Sequence, residues 1–171
     1  MRTNLFSKKC FFESLIKLSK ENDYNTIQIS DICKEAGYNR STFYRIYSSK
    51  DELLVDGFNT FYVNEYYASV NNSSFGKDYI KNVTLLFSYI RSHSEIFLLM
   101  HKAQLDYKMF KMFCNVFPLA RNYGKDQRYY IYYQASGYLG VITEWLLDGM
   151  KESDEYMGNL VAEIIEKSTI Y

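Results

Sequence analysis

ISDICKEAGYNRSTFYRIYSSKDELL, residues Ile29 to Leu54, carries the most legible pattern of helices, caps and turns in the chain. It reads as a short helix, a four-residue turn, a second short helix and the opening of a third. Ile29, Ile32 and Cys33 stand at i, i+3 and i+4, so the first helix, Ile29 to about Ala36, has one apolar face. Gly37 follows the last periodic residue, where a left-handed backbone ends a helix at low steric cost. Asn39 is a good N-cap for the second helix, Arg40 to about Tyr47. Ser49 with Glu52 three residues on is a capping box that opens the third helix at Lys50. Two short helices joined by a turn containing glycine make a helix-turn-helix, whose second helix fits a DNA major groove.

The same residues carry a family pattern. DIxxxAGxxRSTFYRxYxSKxELL, from Asp31 to Leu54, resembles the DNA-binding domain of TetR-type bacterial transcriptional regulators. Ala36-Gly37, then Thr42-Phe43-Tyr44, then Tyr47 and Lys50 form the diagnostic set, and its specificity lies in the spacing. The resemblance covers roughly the first third of the chain. It implies a homodimeric, sequence-specific regulator on an inverted-repeat operator, with repression as the default sign. It also implies that Tyr44 and Lys50 hold phosphates, and that the final two helices dimerise. The run YxxSGYLGVITEWLLDGM, Tyr133 to Met150, is similar to the C-terminal region of one TetR-type subgroup. One position departs from the pattern. A Thr usually caps the family's second helix, and Gln28, a poorer cap, stands here. Either Thr26 caps one turn earlier or the helix start frays, which leaves the role of residues 26–30 at DNA open.

Composition agrees with an all-α fold. Apolar residues make up 47% of the 171 and proline occurs once, so long helices are unobstructed. No alternating strand pattern bounded by turn residues occurs, and no apolar run reaches the ~20 residues needed to span a bilayer. The N-terminus lacks a signal-peptide apolar core, so a cytoplasmic protein is expected. Cys10, Cys33 and Cys114 are odd in number and widely spaced, and read as reduced thiols. Formal net charge is zero, but residues 1–50 hold nine Lys/Arg against five Asp/Glu and residues 51–171 hold eleven against fifteen. A basic first third on an acidic remainder suits a DNA-binding domain, residues 1–49, joined to a regulatory domain, residues 50–171.

About nine helices follow from the periodicity. Helix 1 spans residues 2–22, and helix 4 runs unbroken from Lys50 to about Val70 before the linker Asn71-Asn72-Ser73-Ser74. Helix 5 is placed at 77–91, helix 6 at 95–102 behind Ser94 as cap, helix 7 at 107–117, and a loop at Pro118 to Lys125. Helix 8, about 127–147, ends at Asp148-Gly149, and helix 9 opens at Asp154 with acidic residues in its first turn. Met157, Leu160, Val161, Ile164 and Ile165 repeat at helical spacing, and with Trp145 they form the expected dimer face of an antiparallel hairpin. A hairpin packed only within its own subunit is the plainer alternative.

At the reading head, Arg40, Ser41, Thr42, Tyr44 and Arg45 are expected outward, with Gln28 and Lys50 beside them, while Phe43 and Tyr47 turn into the core. Arg40 and Arg45 suit guanine edges, Ser41 and Thr42 base edges or a thymine methyl. Amides at the start of helix 4, beside Lys50, offer a further phosphate site. In the second domain Phe87, Phe97, Met100, His101, Phe110, Phe113, Tyr133 and Tyr138 are candidates to line a pocket for an apolar or aromatic effector, and a plain core explains them equally well. Glu144, Asp148 and Glu152 read as a solvated or interface face. His93 and His101 are isolated, and no HxxxH, CxxC, GxxxxGK[ST] or GxGxxG pattern occurs, so neither metal, cofactor nor catalytic residues are expected. Two further readings stand beside the regulator. One is an all-α protein-interaction module or partner-controlled activator without a small-molecule pocket. The other is a small all-α enzyme, disfavoured because no acid/base pair is visible.

Overall fold

The computed structural model of the chain describes residues 2–70, 79–110 and 127–168, and no strand occurs among them. The helices are α1 (Arg2–Glu21), α2 (Ile29–Ala36), α3 (Arg40–Tyr44), α4 (Lys50–Gly57), α5 (Asn64–Val70), α6 (Tyr79–Ser92), α7 (Ser94–Lys102), α8 (Gln127–Leu147) and α9 (Asp154–Ser168). A 3-10 turn, Tyr24–Thr26, joins α1 to α2, and a π-helical segment, Phe58–Val63, joins α4 to α5. Residues 106–110 are also helical. The expected linker at 71–74, the rest of the helix expected at 107–117 and the loop at 118–125 lie outside the described residues.

The chain forms two compact units. The first reaches Glu65 and takes in Leu99–Leu105; the second comprises Tyr66–Leu98 and the chain from Asp106 onward. This division falls later than residue 49 because α4 packs on α1. Leu53 and Leu54 are fully buried, and a Cβ on Gly57 would lie 1.9 Å from Phe12 Cδ2. The first unit is a three-helix core with α4 added. Phe11, Leu15, Ile32 and Phe43 have no exposed surface, and Phe11 meets Phe43 edge-on at 5.3 Å. Burying apolar rings of this size is the largest favourable term in a unit this small.

Three local features differ from the expected helices, each for a physical reason. α3 ends at Tyr44, and the chain tightens there, with the Ile46 and Tyr47 amides both donating to the Phe43 carbonyl. Tyr47 stays buried beyond the helix end because its hydroxyl donates to Asp56 Oδ2 at 2.8 Å. The start of α2 is held by neither expected device. Gln28 is the N-cap in extended backbone, and its own amide donates to Asp31 Oδ2 at 3.0 Å. Helix 4 of the sequence reading divides into α4, the π segment and α5. Asn64 donates its backbone N–H to Asn59 five residues back, and its carboxamide covers the Thr60 carbonyl so left over. A π turn placed between two α turns is a local register shift that leaves no 3.6-residue signature.

In the second unit α9 packs on α6. Gly158 makes the approach close, since a Cβ there would meet Thr84 Oγ1 at 2.1 Å. Arg91 on α6 ties down the turn between α8 and α9. Its Nε donates to Asp154 Oδ1 at 2.7 Å, Nη1 to the Met150 carbonyl at 2.9 Å and Nη2 to the Glu152 carbonyl at 2.5 Å. Its guanidinium lies over the Trp145 ring at 4.8 Å, and Trp145 meets Phe87 edge-on at 5.1 Å. Gly149, at φ +82°, takes the left-handed turn that ends α8.

Candidate nucleic-acid interface

The candidate surface is built on one carboxamide. Asn39, in extended backbone before α3, accepts from the Thr42 amide at 2.9 Å, the Ser41 hydroxyl at 2.7 Å and the Thr42 hydroxyl at 2.8 Å. Gly37, at φ +71°, places Asn39 there by closing α2 with a left-handed residue, and the Tyr38 amide returns to the Cys33 carbonyl. Phe43 anchors α3 from below, with Tyr38 and Tyr47 packed around the same core.

Arg40, Ser41, Tyr44 and Arg45 are exposed and Thr42 is half-buried, so the expected outward set does face solvent. Tyr44 is 49% exposed and lies edge-on to Phe43, and Arg40 Nη2 donates to its hydroxyl at 3.3 Å. The Ser41 and Thr42 hydroxyl hydrogens are directed to Asn39, which leaves lone pairs on both hydroxyl oxygens. Gln28 is exposed at the head of α2, its Nε2 donating to the Thr26 carbonyl at 3.2 Å.

Lys50 is placed differently from its neighbours. Its ammonium donates to the carbonyls of Tyr24 at 2.5 Å, Asn25 at 3.2 Å and Ile27 at 3.0 Å, and sits 4.5 Å from the Tyr24 ring centroid. The start of α4 beside it is also occupied. Ser49 Oγ accepts from the Glu52 amide, Asp51 accepts the Tyr24 hydroxyl at 2.6 Å, and Glu52 accepts both the amide and the hydroxyl of Ser48 at 2.7 Å. The capping box is therefore split, with Glu52 reaching Ser48 rather than Ser49. Those bonds hold the Glu52 carboxyl below its ordinary range. Burial and the Asp51 carboxylate push the Tyr24 phenol well above its own. Sequence reading missed Tyr24, Asp51, Asp56 and Lys8 as partners. Lys8 bonds Asp56 at 3.1 Å across 48 residues, and no local periodicity signals such a pair.

The other candidate groups fare unevenly. Phe87, Phe97, Met100 and Tyr138 are buried, His101 and Phe110 are half-buried, Tyr133 is 70% exposed, and Phe113 lies outside the described residues. Met100 and His101 belong to the first unit and Phe87, Phe97, Phe110, Tyr133 and Tyr138 to the second, so the set is not gathered in one unit. Of the expected dimer face, Trp145, Met157 and Val161 are buried within the second unit, Leu160 is half-buried and Ile164 is 45% exposed. The side chain of Ile165 lies outside the described residues. Period alone did not separate the inner from the outer face of α9. On α8 an outer face stays exposed, with Tyr129, Tyr132, Tyr133, Ser136, Gly137, Gly140, Glu144 and Leu147 at helical spacing.

No group of three or more His, Cys, Asp or Glu placed to hold a metal occurs among the described residues. No helix among them is long and apolar enough to cross a membrane.

Comparison with known proteins gives matches along most of the chain. Residues 13–56 match the model of bacterial regulatory proteins of the tetR family, and residues 77–167 match that of a transcriptional regulator C-terminal region from the same group. An uncharacterized HTH-type transcriptional regulator, YuxN of Bacillus subtilis (strain 168), is 27% identical over 92 residues. That match covers 52% of this chain and 32% of the relative. Among solved structures, the dihydroxyacetone kinase operon activator DhaS is similar at TM-score 0.63 and 18% identity, over 95% of each chain, and so shares the fold.

Proposed function

We propose that this chain, a transcriptional regulator belonging to the tetR family, binds an inverted-repeat DNA operator as a homodimer and represses by occupying it. The observation that carries the reading is α3 with its C-cap Arg45: two arginines, Ser41 and Tyr44 are exposed, and Thr42 half-buried, over a fully buried Phe43. Arg40 and Arg45 each suit bidentate donation to guanine O6 and N7, worth about 1–3 kcal/mol of discrimination per good pair. Ser41 and Thr42 offer acceptors to the amino groups of adenine or cytosine, and the Thr42 methyl suits thymine. Tyr44 and Gln28 flank the helix as phosphate or sugar contacts, which fix register without reading sequence. A single copy would read a short half-site. Two copies with recognition helices about 34–36 Å apart would read a near-palindrome.

The second copy docks, on this reading, on the outer face of α8 with Ile164 of α9. Gly137 and Gly140 support this, since a Cβ on either meets nothing within 4 Å. A helix-interior glycine costs about 0.5–1 kcal/mol relative to alanine, and close approach of another helix offsets that cost. A cytoplasmic location, and control by a small apolar effector among the second unit's aromatic residues, complete the proposal. Regulators of this family are in general not enzymes, and no catalytic role is assigned. Selection of bound duplexes from a random pool, followed by binding to the selected site with Arg40→Ala/Arg45→Ala, tests the reading. A protein-interaction module would select no duplex.

A further inference from the structure

We infer that Asp56 is a positioning residue for base recognition: with Lys8 beside it, it holds Tyr47 in place beyond the end of α3, and Tyr47 sets the direction in which Arg45 meets the duplex. This role presupposes the proposed base contact of Arg45.

Arg45 stands outside the recognition helix. α3 has five residues and closes at Tyr44, with Arg45 as its C-cap. A helix this short does not hold its own shape in water, so the residue at its end takes its direction from what anchors the chain on either side. Before Arg45 the anchor is Phe43, which is fully buried, and after it the anchor is Tyr47, also buried. The two are joined, since the Tyr47 amide donates to the Phe43 carbonyl at 2.9 Å and the rings lie 5.7 Å apart. Arg45 is exposed between them.

The anchors differ in what keeps them inside. Phe43 needs only an apolar core. Tyr47 carries a hydroxyl, which is buried at a cost unless it finds a partner. Asp56 Oδ2 is that partner, accepting the Tyr47 hydroxyl at 2.8 Å and the Lys8 ammonium at 3.1 Å. The Lys8 ammonium also lies 5.6 Å from the centroid of the Tyr47 ring, so α1, α4 and the chain after α3 meet at one carboxylate. Asp56 is itself well fixed. Gly57, next to it, leaves no room for a Cβ against the Phe12 ring, and Leu53 and Leu54 are fully buried. The packed pair of α1 and α4 thereby becomes the reference from which Arg45 is aimed.

Double-mutant cycles test this, with Asp56→Ala and Tyr47→Phe each combined with Arg45→Ala and with Arg40→Ala. Affinity is measured for the selected duplex and for duplexes changed at one base pair at a time, and thermal unfolding is followed alongside. The single arginine variants show which base pair each arginine reads. Asp56→Ala is expected to lose about tenfold in discrimination at the Arg45 base pair and to leave the Arg40 base pair as well discriminated as before. With Arg45 already removed, Asp56→Ala is expected to cost no further discrimination, as for residues that act through one another. Tyr47→Phe changes no charge and keeps the buried ring, and is expected to give the same pattern at smaller size, which decides the matter if Asp56→Ala fails to fold. A uniform loss of affinity for every duplex, additive with Arg45→Ala, would mean that Asp56 only stabilises the fold and would overturn the inference. So would unchanged discrimination in both anchor variants. If Arg45→Ala itself left every base preference intact, the base contact assigned to Arg45 would fall, and the role of Asp56 with it.

Discussion

At the residue scale, the reading head depends on a few side chains with separable jobs. Asn39, Gly37 and Phe43 shape α3, whereas Arg40 and Arg45 face outward from it. Arg40→Ala/Arg45→Ala is therefore expected to abolish the preference for the selected duplex over random duplex while leaving the unfolding free energy within about 0.5 kcal/mol of wild type, the usual range for exposed positions. Competition binding with both duplexes, beside a denaturant titration, reads the two effects. Phe43→Ala is expected to do the reverse, costing about 3–5 kcal/mol of stability through loss of a fully buried ring. Gly57→Ala is expected to destabilise by about 1–3 kcal/mol, because the added methyl meets Phe12. The jobs of Gly37, Asn39 and Phe43 were legible in the sequence, since a left-handed C-cap, a polar N-cap and an apolar residue each act locally. Lys50 was not. Its spacing to the tyrosine cluster matches the family pattern, but which partner takes its ammonium depends on carbonyls 23 to 26 residues away.

At the scale of elements, α2 and α8 fall where periodicity, caps and breakers put them. The π segment and the two faces of α8 and α9 were less legible. α8 carries apolar residues on both faces, so counting hydrophobic positions does not reveal which side meets α6, where Phe87 packs on Trp145. Burial resolves it: Ala135, Tyr138, Ile142 and Trp145 are inside, and Tyr133, Gly137 and Gly140 are outside. The outer glycines give a prediction with opposed signs. Gly137→Ala/Gly140→Ala is expected to stabilise the isolated subunit by about 0.5–1 kcal/mol per site and to weaken dimerisation. Unfolding measured well below the dimer dissociation constant reports the first effect, and sedimentation equilibrium reports the second. Stabilisation of both would place the partner elsewhere.

At the scale of the whole molecule, dimerisation and DNA binding are expected to fail together. Ile164→Glu puts a charge on an exposed apolar position of α9, and is expected to give a monomer by sedimentation that binds a half-site weakly and the full site without cooperativity. Alkaline stability follows from the buried phenols. Tyr24, Tyr47 and Tyr66 are held well above the ordinary tyrosine range by burial, and Tyr67 is pushed up to about 12. A phenol raised in the folded state contributes stability that is full below its unfolded value, about pH 10, and is lost as pH climbs toward the folded value. Denaturant midpoints should therefore hold up to pH 9 or so and fall steeply beyond about pH 10. Operator recognition depends on two copies of α3 reading one duplex together. Selecting bound duplexes from a random pool tests it most directly. An inverted repeat whose half-site centres lie about one duplex turn apart is the expected result. An enriched sequence without two-fold symmetry, or no enrichment at all, would contradict it.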